Sequence, residues 1–265
     1  MKGRACILVE AAGVPGRNPL VPVLATELAT RGVELVAWYP TAGVDIPPAA
    51  PGADLYLLKA DHPVALAAAG CLHDAGAACL NGYLATSAAH DKARVLARLS
   101  EAGIPMPATR LVADHDGLVA VLDGGPRFVK PLQGFHGIGA GRLGPGEAGQ
   151  AGPGPWLVQE PIGHSDEVLK VYGVDERVAV RRMTFRPGVV DGAREPVTDG
   201  PAEVADLARA AARAAGLVCF GADFVVGDDG PVLVDLNPFP GYRSVDEAPG
   251  WVADAVVREL QAVSR

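Results

Sequence analysis

VCFGADFVVGDDGPVLVDLNPFPGYR, residues 218–243, is the stretch on which the fold turns. Two apolar β-type runs, Val218–Val226 and Val232–Leu236, flank Gly227–Gly230, which reads as a hairpin. Asp223 lies in the first run, Asp235 and Asn237 in and just after the second. Residues two apart on a strand point to one face, so Asp235 and Asn237 share a side, with Asp223 opposite them across the pair. Three oxygen ligands on one face suit Mg2+, which accepts a few carboxylates and fills its shell with water and phosphate oxygens. The alternative is a set of polar residues capping a hairpin end. Three of them converging in otherwise apolar strands are costly to bury without a cation, and the metal reading is preferred.

Upstream, strands and helices alternate. Ala5–Val9, Val33–Trp38, Leu55–Leu58 and Ala78–Leu80 read as strands, with helices over Leu20–Thr30 and Pro63–Ala75. That order predicts a parallel α/β lobe over residues 1–86. Ser87 is the expected N-cap of a helix from Ala88 to Ala102, closed by Gly103. Thr109–Val112, Phe128–Pro131 and Trp156–Gln159 are strands of a smaller central lobe, residues 87–160. Gly134–Pro155 reads as an aperiodic, glycine-rich loop. Residues 161–265 form an α+β lobe: a hairpin of Glu167–Val174 and Arg177–Arg182 about Asp175–Glu176, a helix over Pro201–Gly216, the acidic hairpin, and a last helix from about Val252.

Composition narrows the function. Among 265 residues the net charge is −8, and no basic stripe is present, which argues against nucleic acid as partner. Cys6, Cys71, Cys79 and Cys219 form no CxxC pair and read as free thiols. No run approaches the ~18 apolar residues of a membrane span, so a soluble, cytoplasmic protein is expected. No G-x-S-x-G elbow marks a serine hydrolase.

Lysine is scarce, and two lysines bear on the same chemistry. Lys130 ends RFVK at the mouth of the glycine-rich loop, where a strand-end amine can reach phosphate charge. Lys92 starts a helix, whose free N–H groups and dipole add positive potential. Each alone reads as a solvated surface lysine; beside that loop they become candidate phosphate ligands. The loop QGFHGIGAGRL offers bare amides, Gly137 and Gly139 among them, without matching the P-loop pattern.

Taken in order, these pieces resemble the ATP-grasp superfamily. NGYLATSAAHDKARVLARLSEAGIPMPAT resembles its opening segment, RFVKP the strand whose lysine meets ATP phosphates, and WLVQEPI the hinge strand. FGADFVV and LVDLNPFPG resemble the metal-binding strands. The resemblance runs from about Asp54 to the C-terminus. It implies an α/β ATP-grasp fold of three lobes, with ATP and one or two Mg2+ ions between the second and third; Mn2+ would substitute. Lys92, Lys130, Gly137, Gly139, Gln159, Glu160 and Ile162 would then hold ATP, and Asp223, Asp235 and Asn237 the metal.

Two subgroups share these motifs. KPLQGFHGIG resembles the loop of RimK-like carboxylate–amine ligases, which work through an acyl phosphate. VLKVYGVDERVAVRR, DLNPFPGYRSV and ADLYLLK resemble inositol polyphosphate kinases, which phosphorylate a hydroxyl. A ligase is preferred, with kinase as the alternative and a non-catalytic nucleotide binder behind both. In either enzyme Lys170 and Arg182 would be the catalytic cations, and Lys59, His164 and Arg243 would face a small anionic acceptor, a peptide or carrier protein remaining open. Strand alternation sends only one of Arg181 and Arg182 into the cleft; Arg182 is taken as that one and Arg181 as a solvated strand end.

Overall fold

A computed structural model describes residues 3–10, 19–132, 139–163, 167–184, 201–243 and 245–263. Its first sheet is parallel, in the order β2-β1-β3-β4, from β1 (Gly3–Leu8), β2 (Val33–Trp38), β3 (Leu55–Leu58) and β4 (Cys79–Leu80). Helices α1 (Leu20–Thr30) and α2 (Pro63–Asp74) return the chain between strands. Ile7, Leu55 and Leu57 pack with α1 and the C-terminal helix, whereas Cys6, Leu8 and Leu58 pack with α2. Strands covered on both faces are apolar throughout, which is why they read as continuous runs in the sequence.

The single helix expected after Ser87 is instead two. Helix α3 (Tyr83–His90) carries Ser87 in its interior, and α4 (Lys92–Glu101) begins after a break at Asp91. Asp91 adopts an extended conformation and its carboxylate accepts the Arg94 N–H at 3.2 Å, so Asp91 is the cap and Ser87 is not.

The central sheet is antiparallel, in the order β5-β8-β6-β7: β5 (Thr109–Val112), β6 (Arg127–Pro131), β7 (Gly141–Leu143) and β8 (Trp156–Gln159). Helix α5 (His115–Leu122), which the sequence reading did not foresee, is capped by Asp114 and buries Leu118 and Leu122 on this sheet. The stretch read as aperiodic loop contains β7, paired with Arg127–Val129, because Leu143 joins the core around Val129 and Trp156.

The third sheet is antiparallel, in the order β10-β9-β11-β12: β9 (Glu167–Val174), β10 (Arg177–Thr184), β11 (Cys219–Gly227) and β12 (Gly230–Pro238). One face lies under α6 (Ala202–Ala215), whose Ala208, Ala211 and Ala212 let it approach Leu169, Val171, Val180, Ala222 and Phe224. Gly216 ends α6 in the left-handed conformation, φ 73°. The other face is divided. Tyr172, Val174 and Cys219 join the N-terminal core, and the remainder is polar. Helix α7 (Ala248–Val263) starts about a turn earlier than expected and closes on α1. The architecture is thus the expected one, an N-terminal parallel α/β lobe, a small central lobe and a C-terminal α+β lobe.

Asn81 fastens the first lobe to the third. Its side-chain oxygen accepts the Val218 and Cys219 N–H groups, each at 2.8 Å, and its amide donates to the Cys219 carbonyl at 2.8 Å.

Gly173 lies opposite Phe220 in the ladder, and a Cβ there would stand 2.1 Å from the Phe220 ring. Gly173→Ala is therefore expected to cost about 1–3 kcal/mol, read as a lower urea midpoint. An unchanged midpoint would mean that the Phe220 ring moves aside freely.

Candidate active site

A two-residue turn at Asp228–Asp229 pairs Gly227 with Gly230, and the ladder then runs regularly to Phe224 opposite Leu233. Continued unbroken, it would set Asp223 against Val234 and leave Asp235 on the other face. The register shifts by one residue here, so Asp223 stands opposite Asp235. Val234 is the extra residue of a β-bulge. Its carbonyl receives the Lys130 Nζ from β6, at 2.8 Å. Lys130 therefore reaches across from the central sheet and holds the bulge that aligns the two carboxylates.

Directly paired residues of antiparallel strands share a face. The row across the third sheet reads Asp235, Asp223, Lys170 and Arg181, one residue from each strand. Lys170 Nζ lies 3.4 Å from Asp223 Oδ2. Lys92, first residue of α4, donates to Asp235 Oδ1 at 2.7 Å, and the Asn237 amide donates to Asp235 Oδ2 at 3.0 Å. Three elements, α4, β6 and β9, thus deliver three lysines to two aspartates.

The electrostatics divide the two carboxylates. Burial opposes the charge on Asp235, but Lys92 and Lys130 outweigh it and hold the carboxyl well below the usual range. Burial, reinforced by the Asp235 charge, raises Asp223 against the pull of Lys170. The Asp223 charge in turn keeps Lys170 protonated, and desolvation brings Lys130 down to about 8.

Among the described residues no three His, Cys, Asp or Glu side chains gather into a metal-binding group, so a cation would have two carboxylates and one amide. They fit one. Asp223 Oδ1 is buried with no hydrogen-bond partner, an acceptor whose burial a divalent cation would compensate. Asn237 uses its amide nitrogen on Asp235, leaving its carbonyl oxygen for a cation.

The hinge residues Gln159, Glu160 and Ile162 lead from the central sheet towards the third. Glu160 N–H donates to the Ala108 carbonyl at 3.0 Å, and Ile162 lies against Gly227 of the acidic hairpin. The Gln159 side chain is buried and donates to Thr109 Oγ1 at 3.0 Å, so its amide secures β8 to β5. Gly139 is left-handed, φ 74°, and turns back on Pro131 at the end of β6. Gly137 and His164 lie outside the described residues.

Lys59 and Arg243 lie at the other end of the polar face. Lys59 Nζ donates to the Phe239 carbonyl at 3.4 Å. Desolvation lowers its pKa, and the charges of Asp61 and Glu10 work against this while that of Arg243 adds to it. Arg243 is presented by a loop in which Phe239 and Tyr242 take left-handed φ values of 46° and 51°. Hydrogen bonds from Phe239 N–H to the Cys219 carbonyl and from the Tyr242 hydroxyl to the Gly173 carbonyl secure that conformation.

The tandem arginines are placed opposite to expectation. Arg182 pairs with Leu169 on the face that α6 covers, and its guanidinium forms an ion pair with Glu167. Arg181 pairs with Lys170 and is only 7% exposed, so it is not a solvated strand end. The signal was in the sequence: a two-residue turn at Asp175–Glu176 pairs Val174 with Arg177 and, counting back, Lys170 with Arg181. Asn81 and the bulge at Val234 were missed too, and neither leaves a local sequence mark.

No family model matches the chain. A probable alpha-L-glutamate ligase 2 of Shewanella amazonensis is 30% identical over 207 residues, 71% of this chain and 68% of the relative. The RimK domain ATP-grasp protein of Sphaerobacter thermophilus superposes with a TM-score of 0.76 at 21% identity, covering 95% of this chain and 98% of that one. The D-cycloserine synthetase DcsG superposes with a TM-score of 0.77 at 19% identity, covering 97% and 100%.

His90 is half-buried at the end of α3, and desolvation and the Lys92 charge bring its pKa down to about 4. The unfolded chain would take up this proton near pH 6.5, so between about 6.5 and 4 the unfolded state binds more protons. Stability is expected to fall as pH is lowered through that window, and less steeply in His90→Gln. Denaturant midpoints across the window check this; parallel curves for the two proteins would contradict it.

Proposed function

The chain belongs to the ATP-grasp superfamily, and from that membership we propose that it is a Mg-ATP-dependent carboxylate–amine ligase of the RimK-like kind. The observation that carries the reading is the cross-strand row of Asp235, Asp223 and Lys170, with Lys92 and Lys130 closing on it from two other elements. Asp223, Asp235 and Asn237 would hold one or two Mg2+ ions, with Mn2+ able to substitute. Bound there, the metal supplies positive charge to the β- and γ-phosphates of ATP.

Lys92 and Lys130 then bind phosphate oxygens and spread the charge that develops as the γ-phosphoryl group transfers. Lys170, set beside Asp223, orients the acceptor oxyanion towards the γ-phosphorus. A carboxylate oxygen of the acceptor attacks that phosphorus and ADP leaves. An amine then displaces phosphate from the acyl carbon, giving an amide. Gln159, Glu160 and Ile162 would border the nucleotide base and ribose. Gly137 and Gly139 would lie over the phosphates, and Lys59, His164 and Arg243 would face the acceptor.

Two observations favour a ligase over an inositol polyphosphate kinase. The acceptor end is mixed in sign, with Asp61 and Glu10 acting on Lys59 beside Arg243, whereas a polyphosphate would require cations throughout. The 30% identical relative is a probable alpha-L-glutamate ligase, which points to amino acids as substrates.

Purified protein incubated with Mg-ATP and a panel of L-glutamate, other amino acids, small peptides, polyols and inositol phosphates should release ADP and join two panel members with loss of water. Asp235→Asn should lower that turnover about 100-fold or more with the fold intact. An acceptor that gains only phosphate would make the protein a kinase. ADP from no acceptor would overturn the enzymatic reading.

A further inference from the structure

We propose that Tyr172, on β9, is a specificity-determining contact: its hydroxyl donates a hydrogen bond to the carboxylate of an acceptor amino acid, beside the Lys170 ammonium. The residue is chosen by its place in the sheet and its unbonded hydroxyl; the nature of the acceptor rests on the ligase reading above.

Tyr172 lies two residues from Lys170 on β9, so both side chains leave the strand on the polar face. Its own ladder row runs through Gly221 to Asn237, the amide of the candidate metal site. The ring is held in place. It is 8% exposed, belongs to the core shared with the first lobe, and has the Tyr242 ring 6.1 Å away. Tyr242 donates its own hydroxyl to the Gly173 carbonyl at 2.9 Å. Among the described residues the Tyr172 hydroxyl has no such partner, although a buried phenol ordinarily finds one. Only Thr86 Oγ1 and Asp223 Oδ1 are both unbonded and fully occluded among those residues, so the Tyr172 oxygen is reachable from outside.

The charges of Lys170, Asp223, Arg243 and Arg181 act on the phenol, and Tyr172 acts in turn on Lys170. The hydroxyl therefore stands between the metal end, at Asp223, and the acceptor end, at Arg243. Burial is the larger influence on it and keeps it protonated, hence a donor. An ammonium and a phenol thus stand together, two donors at the acceptor's place. A carboxylate accepts both through separate lone pairs and needs no base before it attacks phosphorus. A substrate hydroxyl must lose a proton, and both aspartates of the row are engaged by lysines.

L-glutamate is the probe, titrated calorimetrically into the full chain with Mg2+ and a saturating non-hydrolysable ATP analogue. Tyr172→Phe, which removes only the hydroxyl, is expected to weaken L-glutamate binding about tenfold or more and leave the affinity for the analogue unchanged. Its urea midpoint should equal or exceed that of wild type, because the oxygen removed has no partner in the protein. The tyrosine ring carbon resonance missing from the Tyr172→Phe spectrum should shift when L-glutamate is added to wild type.

L-glutamate binding in Tyr172→Phe equal to wild type would overturn the proposal, as would a ring resonance that stays fixed or a wild type that takes up no L-glutamate. A lower midpoint together with weaker analogue binding would also overturn it, by making the hydroxyl structural. Weakened binding combined with L-glutamate that gains only phosphate would remove the ligase and keep the tyrosine contact. Amide formation with no Tyr172 effect would do the reverse.

Discussion

The hydrogen bond from Lys130 Nζ to the Val234 carbonyl, 2.8 Å long, connects the parts on which the site depends. A regular hairpin from Gly227–Gly230 would put Asp223 and Asp235 on opposite faces of the sheet, one among the α6 alanines. The extra residue brings them face to face and leaves a carbonyl outside the regular pairing, and a buried carbonyl without a partner is costly. The lysine supplied from the central sheet satisfies it. The same amine stands among the carboxylates, so one side chain both secures the bulge and places positive charge where phosphates would lie. The central and third sheets are thereby coupled at the candidate site.

Electrostatic balance follows from that alignment. Two aspartates side by side in a partly buried cleft repel each other, and burial raises Asp223 accordingly. Lys92 comes from a helix start made possible by the Asp91 cap, and Lys170 from the neighbouring strand. The chain's net charge of −8 therefore says little about the local field, which is set by three lysines gathered from distant parts of the sequence. From Lys170 on, the sign of the row turns positive.

Much of the fold was legible because its signals are local. Leu20–Thr30, Val33–Trp38, Leu55–Leu58 and Trp156–Gln159 show periods and breaks that the structure reproduces. At Asp91 and Ser87 two good capping residues lie four apart, and only the geometry shows which one caps. That Lys92 and Lys130 serve one site was inferred from the order of motifs; their contacts with Asp235 and Val234 lie over 100 residues apart in sequence, and no spacing in one chain fixes those. Arg181 was readable from the turn length but was lost by assigning the cleft to its neighbour. The bulge at Val234 was not readable at all: Val-Asp-Leu-Asn has the same alternation with or without it. Asn81 shows the same limit, since its three hydrogen bonds depend on a strand 138 residues away.

The most direct test is a crystal structure with Mn2+ and a non-hydrolysable ATP analogue, with data collected for anomalous scattering from manganese. A manganese peak ligated by Asp223 and Asp235, with Lys92 and Lys130 on the phosphates, is the predicted result. A peak elsewhere, or nucleotide bound away from these lysines, would contradict the assignment of this row as the catalytic centre.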